Sequence, residues 1–588
     1  MRTKIVCTMG PSVSSVDTLK ILVEAGMSVA RLNFSHGTHA DHLETIKKLK
    51  EVRKELKKPV ALMLDTKGPE IRVLDLSANP LKVNPKMRVW LVKSKDDAEE
   101  NTPFIKIHPE EIVDHLKPKM SVLIDDGYVQ GTIIENDGKK AILEIFNSGE
   151  IKLKKSINIP DLDYHLPILS QDDIDDLRFG AENDIDIVAL SFVTNAEQVL
   201  QVRKILRDFN QPQTLILSKI ESANGVKNFD SILEVSDGIM VARGDLGVEL
   251  PIEKIPTLQK RFIAKCLKVG KPVIVATQML ESMIKNPRPT RAEASDVAGA
   301  IFDAASAIML SGETAVGAYP IETVKTMRKI GHETEEAFSY EDYFFKRANE
   351  NYYHVSEAIA CATVHATYMT RSKMIVVCTH SGETARQISK FRPEAKIIAI
   401  TADEKTYHQM SITWGVIPIL KDVKTMQEAI KIASDYALKH GICQIGDLIV
   451  VTSGALFGIQ GSTNMLAFES IGEVLVRGVY GNIRELCVGQ VVKIGAKEKL
   501  SKSKIEGKIA LMSCCQKEDF ETLKHAKGVI LQNATEDLES MMVCQMLEEH
   551  KIPAICRAEG ALDIIKENDY VTLDSIRGLV FKGKLERN

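Results

Sequence analysis

Leu190-Ser-Phe-Val, Leu217-Ser-Lys-Ile-Glu, Met240-Val-Ala-Arg-Gly-Asp, Val275-Ala-Thr-Gln-Met and Met309-Leu-Ser-Gly-Glu each close an apolar run between Ile185 and Ala315 with a polar cluster. An amphipathic helical pattern follows each one. Three further units of the same kind stand at Lys4 to Gly10, Val29 to Gly37 and Val60 to Lys67, giving eight strand tops. Unbroken Val/Ile/Leu runs mark strands buried on both faces, and their alternation with helices implies parallel pairing. Eight repeats predict a closed (β/α)8 barrel, an α/β fold whose interior is packed and whose chemistry sits where the strands end. The polar clusters are therefore expected on one rim.

The third strand ends at Asp65-Thr-Lys-Gly-Pro-Glu-Ile-Arg, and a different texture holds until about Leu169. Short alternating segments at Met87 to Val92, Ser121 to Ile124, Gly131 to Glu135 and Ala141 to Phe146, separated by Asn-Asp-Gly and Asp-Asp-Gly turns, predict a small antiparallel β domain. Inserted at a strand top, it would sit above the rim as a lid that excludes water. Ser170 is the predicted N-cap of a helix from Gln171 to Ala181, and Pro320 to Glu336 is expected to end the barrel. The aromatic stretch Phe338 to Tyr353 should pack between domains. A helix at Ser356 to Tyr368 and strands at Met374 to Cys378, Ile397 to Thr401, Gly415 to Pro418 and Asp447 to Thr452 predict a third, mostly parallel α/β domain. From about Glu473, strands near Gly489 to Ile494, Lys508 to Ser513, Gly528 to Leu531, Pro553 to Cys556 and Tyr570 to Leu573 read as an extra small α/β domain. The expected division is 1–69 with 169–341 for the barrel, 70–168 for the lid, 342–472 for the third domain and 473–588 for the fourth.

At 588 residues the chain is too long for one core, and its 44% apolar content is that of a globular protein. A net charge of −4 offers no clustered basic face for nucleic acid, and runs such as Lys47-Lys-Leu-Lys and Lys152-Leu-Lys-Lys read as solvated faces. Ten cysteines at irregular spacings, with no Cys-x-x-Cys pair, argue against a disulfide framework or a structural zinc site and for a reducing compartment. The opening strand leaves no room for a signal peptide, and no apolar run nears the ~18 residues of a membrane span. A cytoplasmic protein is expected, without membrane or nucleic-acid partners.

Glu221 and Asp245 are expected to end neighbouring strands. Adjacent strands lie about 4.8 Å apart, so two carboxylates at matching heights can share a hard divalent cation, magnesium by preference; pairing with Arg243 or Lys219 is the structural alternative. Lys219 faces the same side as Glu221, where it would neutralise charge on a transferring phosphoryl group or form a Schiff base. Arg31, Asn33 and Ser35 share a face, and with Asp65 and Thr66 they make an oxygen-rich corner for a monovalent cation and an anionic phosphate. Gly244 permits close backbone approach. Thr277 and Ser311 offer hydroxyls that orient substrate or relay a proton.

Together these strings resemble pyruvate kinase. The resemblance rests on Cys7-Thr-Met-Gly-Pro-Ser, Arg31-Leu-Asn-Phe-Ser-His-Gly, Leu64-Asp-Thr-Lys-Gly-Pro-Glu-Ile-Arg, Ser218-Lys-Ile-Glu, Ala242-Arg-Gly-Asp-Leu-Gly, Ala276-Thr-Gln-Met-Leu-Glu-Ser-Met, Pro289-Thr-Arg-Ala-Glu and Met309-Leu-Ser-Gly-Glu-Thr-Ala, and covers roughly the first 470 residues. It implies phosphoryl transfer from phosphoenolpyruvate to ADP, giving pyruvate and ATP. It further implies that Lys219, Thr277 and Arg31 are catalytic, and that Glu221 and Asp245 hold magnesium (or manganese). Asn33, Ser35, Asp65 and Thr66 would hold potassium. Arg31, Lys219, Gly244, Asp245, Thr277 and Arg72 would contact the substrate, and Asn33, Phe34, Ser35, His36, Arg72 and Lys155 the nucleotide. Glu70 matches the potassium-dependent branch of the family.

The resemblance also implies a homotetramer regulated through the third domain. Thr379, Ser381, Gly382 and Thr384 match a loop that holds an effector phosphate, with Gly458-Ile-Gln-Gly-Ser-Thr nearby; Glu383 stands where the family often has a basic residue. The fourth domain resembles the swivelling phosphohistidine module of enzymes that use phosphoenolpyruvate. Ser540-Met-Met falls where that module carries its histidine, so a structural or interaction role is expected, with His525 and His550 as surface histidines. A barrel lyase using the same metal-bound acids, and a binding protein without catalysis, are the competing readings; ADP-dependent pyruvate formation separates them from the kinase.

Overall fold

The computed structural model of the protein describes residues 1–68, 71–99, 101–125, 127–160, 162, 169–348, 354–454, 463–479, 483, 486–495 and 498–584. Glu70 and most of the loop at 458–463 lie outside them. The chain divides into two compact units, one of Met1–Val364, Val377–Val423 and Ser453–Met465, the other of His365–Val376, Lys424–Thr452 and Leu466–Asn588.

In the first unit eight parallel strands close a barrel in chain order: Lys4–Thr8, Met27–Asn33, Ala61–Asp65, Ile187–Leu190, Leu215–Ile220, Gly238–Ala242, Val273–Ala276 and Ala307–Leu310. Their residues alternate between two packed layers, as a period of two requires. Val6, Val29, Met63, Leu217, Met240, Ile274 and Met309 fill the interior. Ile5, Cys7, Leu62, Ile216, Ile239 and Val275 face the surrounding helices. The helices start on side-chain caps: Thr38 with Asp41, Ser170 with Asp173, Asn195 with Gln198 and Thr290 with Glu293 each form a reciprocal capping box. The helix predicted from Ser170 onward runs Gln171–Glu182, and the last barrel helix is Pro320–Glu336.

Between the third and fourth strands the lid forms its own closed barrel of seven strands around an aliphatic core that includes Val73, Leu91, Ile107, Val122 and Leu143. Two expectations are corrected here. Trp90 to Val92 pair in parallel with Phe104 to Lys106, so the lid is not wholly antiparallel. The strands Ile71–Leu76, Leu81–Val83, Phe104–His108, Gly149–Ile151 and Ser156–Asn158 were not foreseen, because segments of three to six residues hold too few apolar positions to show a period of two. Beyond the barrel, Tyr340–Ala348 is helical, and its Phe344 meets Phe391 edge-on at 6.0 Å between ring centres. The strands Lys396–Thr401 and Val416–Leu420 pair in parallel.

The second unit holds a seven-stranded mixed sheet ordered Val474–Arg477, Leu579–Lys582, Tyr570–Asp574, Cys487–Lys493, Ile509–Met512, Gly528–Leu531 and Ala554–Ile555. Its last four strands are parallel and its first connections antiparallel. The flanking strands Val474–Arg477 and Leu579–Lys582 were also missed. Ser540 lies buried near the start of the helix Leu538–Glu549, where its hydroxyl accepts from the Cys515 N–H at 2.9 Å. His550 is exposed and His525 half-buried. Cys544 and Cys556 are joined by a disulfide, a link that irregular cysteine spacing did not announce; the other eight cysteines are free.

Candidate active site

Lys219 stands on the fifth strand, 9% exposed, with its ammonium 3.0 Å from Asp65 Oδ1, 3.0 Å from Glu221 Oε1 and 2.8 Å from Ser191 Oγ. Burial alone would discharge it; Asp65 and then Glu221 outweigh that and hold its pKa above the usual lysine value. The amine therefore stays protonated, which is wrong for a Schiff base and right for a fixed positive charge.

Glu221 follows the same strand, buried, with Oε2 accepting the Phe192 N–H at 2.7 Å. Burial pushes its pKa up to about 7, Lys219 opposes the shift, and Asp245 adds to it. Asp245 does not end a strand. The sixth strand stops at Ala242, and Asp245 lies in the first turn of the helix Arg243–Glu249. The charge of Asp245 acts on Glu221 and Lys219 from that helix, not from a matching strand end. The structural alternative is met in part: Glu221 pairs with Lys219, whereas Arg243 pairs with Asp296 at 2.7 Å.

Asp65 is fully buried between two cations. Burial would raise its pKa, and Arg31 followed by Lys219 bring it below the ordinary carboxylate value. Arg31 Nε lies 2.5 Å from Asp65 Oδ2, and its Nη1 donates to Thr8 Oγ1 at 3.0 Å. Asn33 pairs in register with Asp65. The strand ends there, so Phe34, Ser35 and His36 lie in the turn: Phe34 N donates to Asp65 O at 3.0 Å, Ser35 N to Asn33 Oδ1 at 3.3 Å, and His36 N to Asn33 O at 3.2 Å. Ser35 therefore lies in the turn beyond the strand, so strand alternation does not put it on one face with Arg31 and Asn33. Thr66 is buried, with Oγ1 accepting from Ser191 N at 3.1 Å and its carbonyl from Ser191 Oγ at 2.6 Å.

Thr277 caps the seventh strand with φ 69°, a left-handed conformation that costs a non-glycine residue about 1–3 kcal/mol and gathers at functional sites. Its hydroxyl accepts the Gly244 N–H at 2.8 Å and donates to Ala276 O at 2.7 Å, fixing the turn that carries Asp245. A Cβ on Gly244 would stand 3.5 Å from Thr277 Oγ1, an ordinary contact; packing does not demand the glycine, so its bareness leaves room over the rim. Ser311 N donates to Glu313 Oε2 at 2.7 Å, tying that strand top to its own helix. The residues that sequence reasoning left without a role are Ser191 and Thr8. Ser191 was visible only as part of the fourth strand's polar cluster, and nothing marked it as the bridge among Lys219, Asp65 and Thr66.

The lid residues Arg72 and Lys155 lie on the small barrel. Arg72 is opposite Ser156, with Nη1 3.4 Å from Lys154 O, and Lys155 Nζ is 2.7 Å from Asp125 Oδ1. In the loop before Glu383–Ser389, Gly382 N donates to Thr379 Oγ1 at 3.0 Å, the Ser381 carbonyl accepts from Arg386, and Thr384 Oγ1 is 2.7 Å from Thr463 Oγ1. Burial would raise the Glu383 pKa; Arg386 and a bond from Gln387 bring it below the usual value. Its negative charge is thus taken up within the helix.

The donor set suits a hard cation. Among the described residues no group of three or more His, Cys, Asp or Glu is placed to hold a metal ion by itself, and magnesium is commonly held by one or two carboxylates with substrate oxygens and water completing the octahedron. The repulsion of Glu221 by Asp245 is what such an ion would relieve. No helix among the described residues is long and apolar enough to cross a membrane.

Residues 1–324 match the family model described as pyruvate kinase, barrel domain, and residues 357–467 the one described as pyruvate kinase, alpha/beta domain. The chain is 39% identical over 586 residues to a pyruvate kinase of Bacillus licheniformis and 38% over 585 residues to that of Geobacillus stearothermophilus, with 99% of each chain covered. A pyruvate kinase of Clostridium acetobutylicum is 43% identical over 471 residues, 99% of its own length but 80% of this chain.

Proposed function

Because the chain belongs to the pyruvate kinase family, we propose that its rim transfers the phosphoryl group of phosphoenolpyruvate to ADP, giving pyruvate and ATP, through the residues gathered around Lys219. The reading is carried by one observation: a permanently charged ammonium held 3.0 Å from each of two buried carboxylates, with a third acid beside them.

The transferring group passes from the enol oxygen of the substrate to a terminal oxygen of ADP, with negative charge spread over its equatorial oxygens. Lys219 meets that charge, exchanging Glu221 and Asp65 for phosphoryl oxygens. Arg31, anchored by Asp65 and Thr8, aims its remaining N–H groups at the substrate's anionic end. Gly244 and Asp245 present the turn over which the substrate lies, and Thr277 holds that turn and orients the enol that takes up a proton to become pyruvate. Glu221 and Asp245 would hold magnesium or manganese, which would supply Lewis-acid polarisation of the phosphate oxygens. Asn33, Ser35, Asp65 and Thr66 would hold potassium with oxygen donors alone, and Asn33, Phe34, Ser35, His36, Arg72 and Lys155 would meet ADP. Lid closure would exclude water from the transfer.

The organisation that fits this chemistry is a barrel at 1–69 with 169–341, a lid at 70–168, a regulatory domain at 342–472 and an extra domain at 473–588, assembled as a homotetramer in the cytoplasm. A phosphorylated effector at Thr379, Ser381, Gly382 and Thr384 completes the proposal; the uptake of Glu383's charge by Arg386 makes the loop less hostile to an anion. The experiment is a coupled assay for pyruvate with ADP, magnesium and potassium varied one at a time. ADP-dependent pyruvate formation that needs both cations is expected; carbon–carbon cleavage without ATP would replace this reading with the lyase.

A further inference from the structure

A small, partly open pocket at the foot of the barrel, at the end of the strands away from the rim, is lined by cations. It has a volume of about 10 Å³ and is bordered by Lys271, Arg386, Lys390 and Arg392 together with Ser306, Ser389 and Thr413, and no aspartate or glutamate lines it. We infer that it binds a monatomic anion, a halide such as chloride.

Charge bookkeeping separates the four cations. Lys390 has Glu357 at 3.0 Å and Arg386 has Glu383 at 2.7 Å. Arg392, only 1% exposed, spends its N–H groups on neutral acceptors: Nη1 donates to Ser389 O and Oγ, Nη2 to Ala304 O and Ser306 Oγ. Its Nε is buried with no acceptor, and its plane lies over the Trp414 ring at 4.7 Å. Lys271 donates to the carbonyls of Leu233 and Glu234, both at 2.8 Å. Two cations therefore face the cavity region without a carboxylate bonded to them. Burial lowers the pKa of both, that of Arg392 to about 9, the response expected where a buried charge lacks its counter-charge.

The size of the space selects the ligand. It holds about one water-sized sphere, too small for phosphate, sulfate or a carboxylate. A water there needs acceptors for its own protons as well as donors. The two lining serine hydroxyls already accept from Arg392, and the Ser389 hydroxyl donates to Trp414 O at 2.7 Å. A halide needs donors only, and its charge offsets the surplus that the carboxylates leave. The site is separate from the proposed phosphoryl transfer and stands or falls without it.

The test uses the full-length protein at fixed potassium concentration and ionic strength, with gluconate exchanged stepwise for chloride or bromide, thermal midpoint as the readout, and a crystal grown in bromide. The expected results are a saturable rise in midpoint and an anomalous bromide peak among Lys271, Arg386, Lys390 and Arg392. Lys271→Met should weaken the half-saturating halide concentration by more than about tenfold, as loss of one charge across a few ångströms at an effective dielectric of about 20 predicts. Arg392→Gln is the second variant, used if Lys271→Met does not fold. A cavity showing no anomalous signal, or a midpoint that responds to gluconate as it does to halide, overturns the inference and leaves a trapped water.

Discussion

Replacing Lys219 by methionine keeps most of the aliphatic stem and removes the charge. The ammonium lies 3.0 Å from both Asp65 and Glu221. Two unit charges 4 Å apart attract by about 4 kcal/mol at an effective dielectric of about 20, so the variant loses an attraction of that order that now favours the ionised Glu221. A pKa unit corresponds to about 1.4 kcal/mol, and burial and Asp245 already push Glu221 well above the ordinary carboxylate range; without Lys219 it is protonated across the neutral range. Asp65 retains Arg31 and stays ionised. Two losses follow together. Turnover falls by about 10²–10³, the effect of deleting one donor aimed at transition-state charge, and magnesium affinity falls because a proton occupies its ligand. Both are measurable, the first by the coupled pyruvate assay at saturating substrates, the second by calorimetric titration at pH 7 and at successively higher pH, where affinity climbs as Glu221 gives up its proton. Turnover within about threefold of the parent, or magnesium binding unchanged at pH 7, would refute the reasoning.

Ser191→Ala removes the hydroxyl 2.8 Å from the ammonium; a bond to a charged partner is worth about 1.5–3 kcal/mol, so both thermal stability and turnover should drop, and an unchanged kcat would reduce Ser191 to a space-filler. His408 accepts the Val60 N–H at its Nδ1 and is held neutral, burial and then Arg53 taking its pKa down to about 3. Its folded value lies below its unfolded one, so its contribution is fully present above about pH 6.5 and is lost as pH falls towards 3, at up to about 1.4 kcal/mol per unit. Urea titrations between pH 7 and 5 should show a shallower fall for His408→Asn than for the parent, and coincident slopes would refute the linkage. For the proposed effector loop, calorimetry with sugar phosphates and AMP should detect binding that Ser381→Ala weakens; silence from every compound would make that domain architectural.

What the sequence by itself determined was the eight strands of the large barrel and the identity of its rim. Eight apolar runs ending in polar clusters fix a parallel barrel, because strands buried on both faces have few other ways to pack, and Lys219 with Glu221 two residues on must share a side. The lid's short strands were half legible, since burial on one face of a small barrel leaves only two or three apolar positions per segment. Tertiary structure alone decided that Asp245 enters from a helix, that Ser191 ties Lys219 to Asp65 and Thr66, and that Cys544 meets Cys556. Each of these joins residues whose partners come from another strand or helix, and a one-dimensional pattern records which side a residue faces but not which neighbour the fold brings to it.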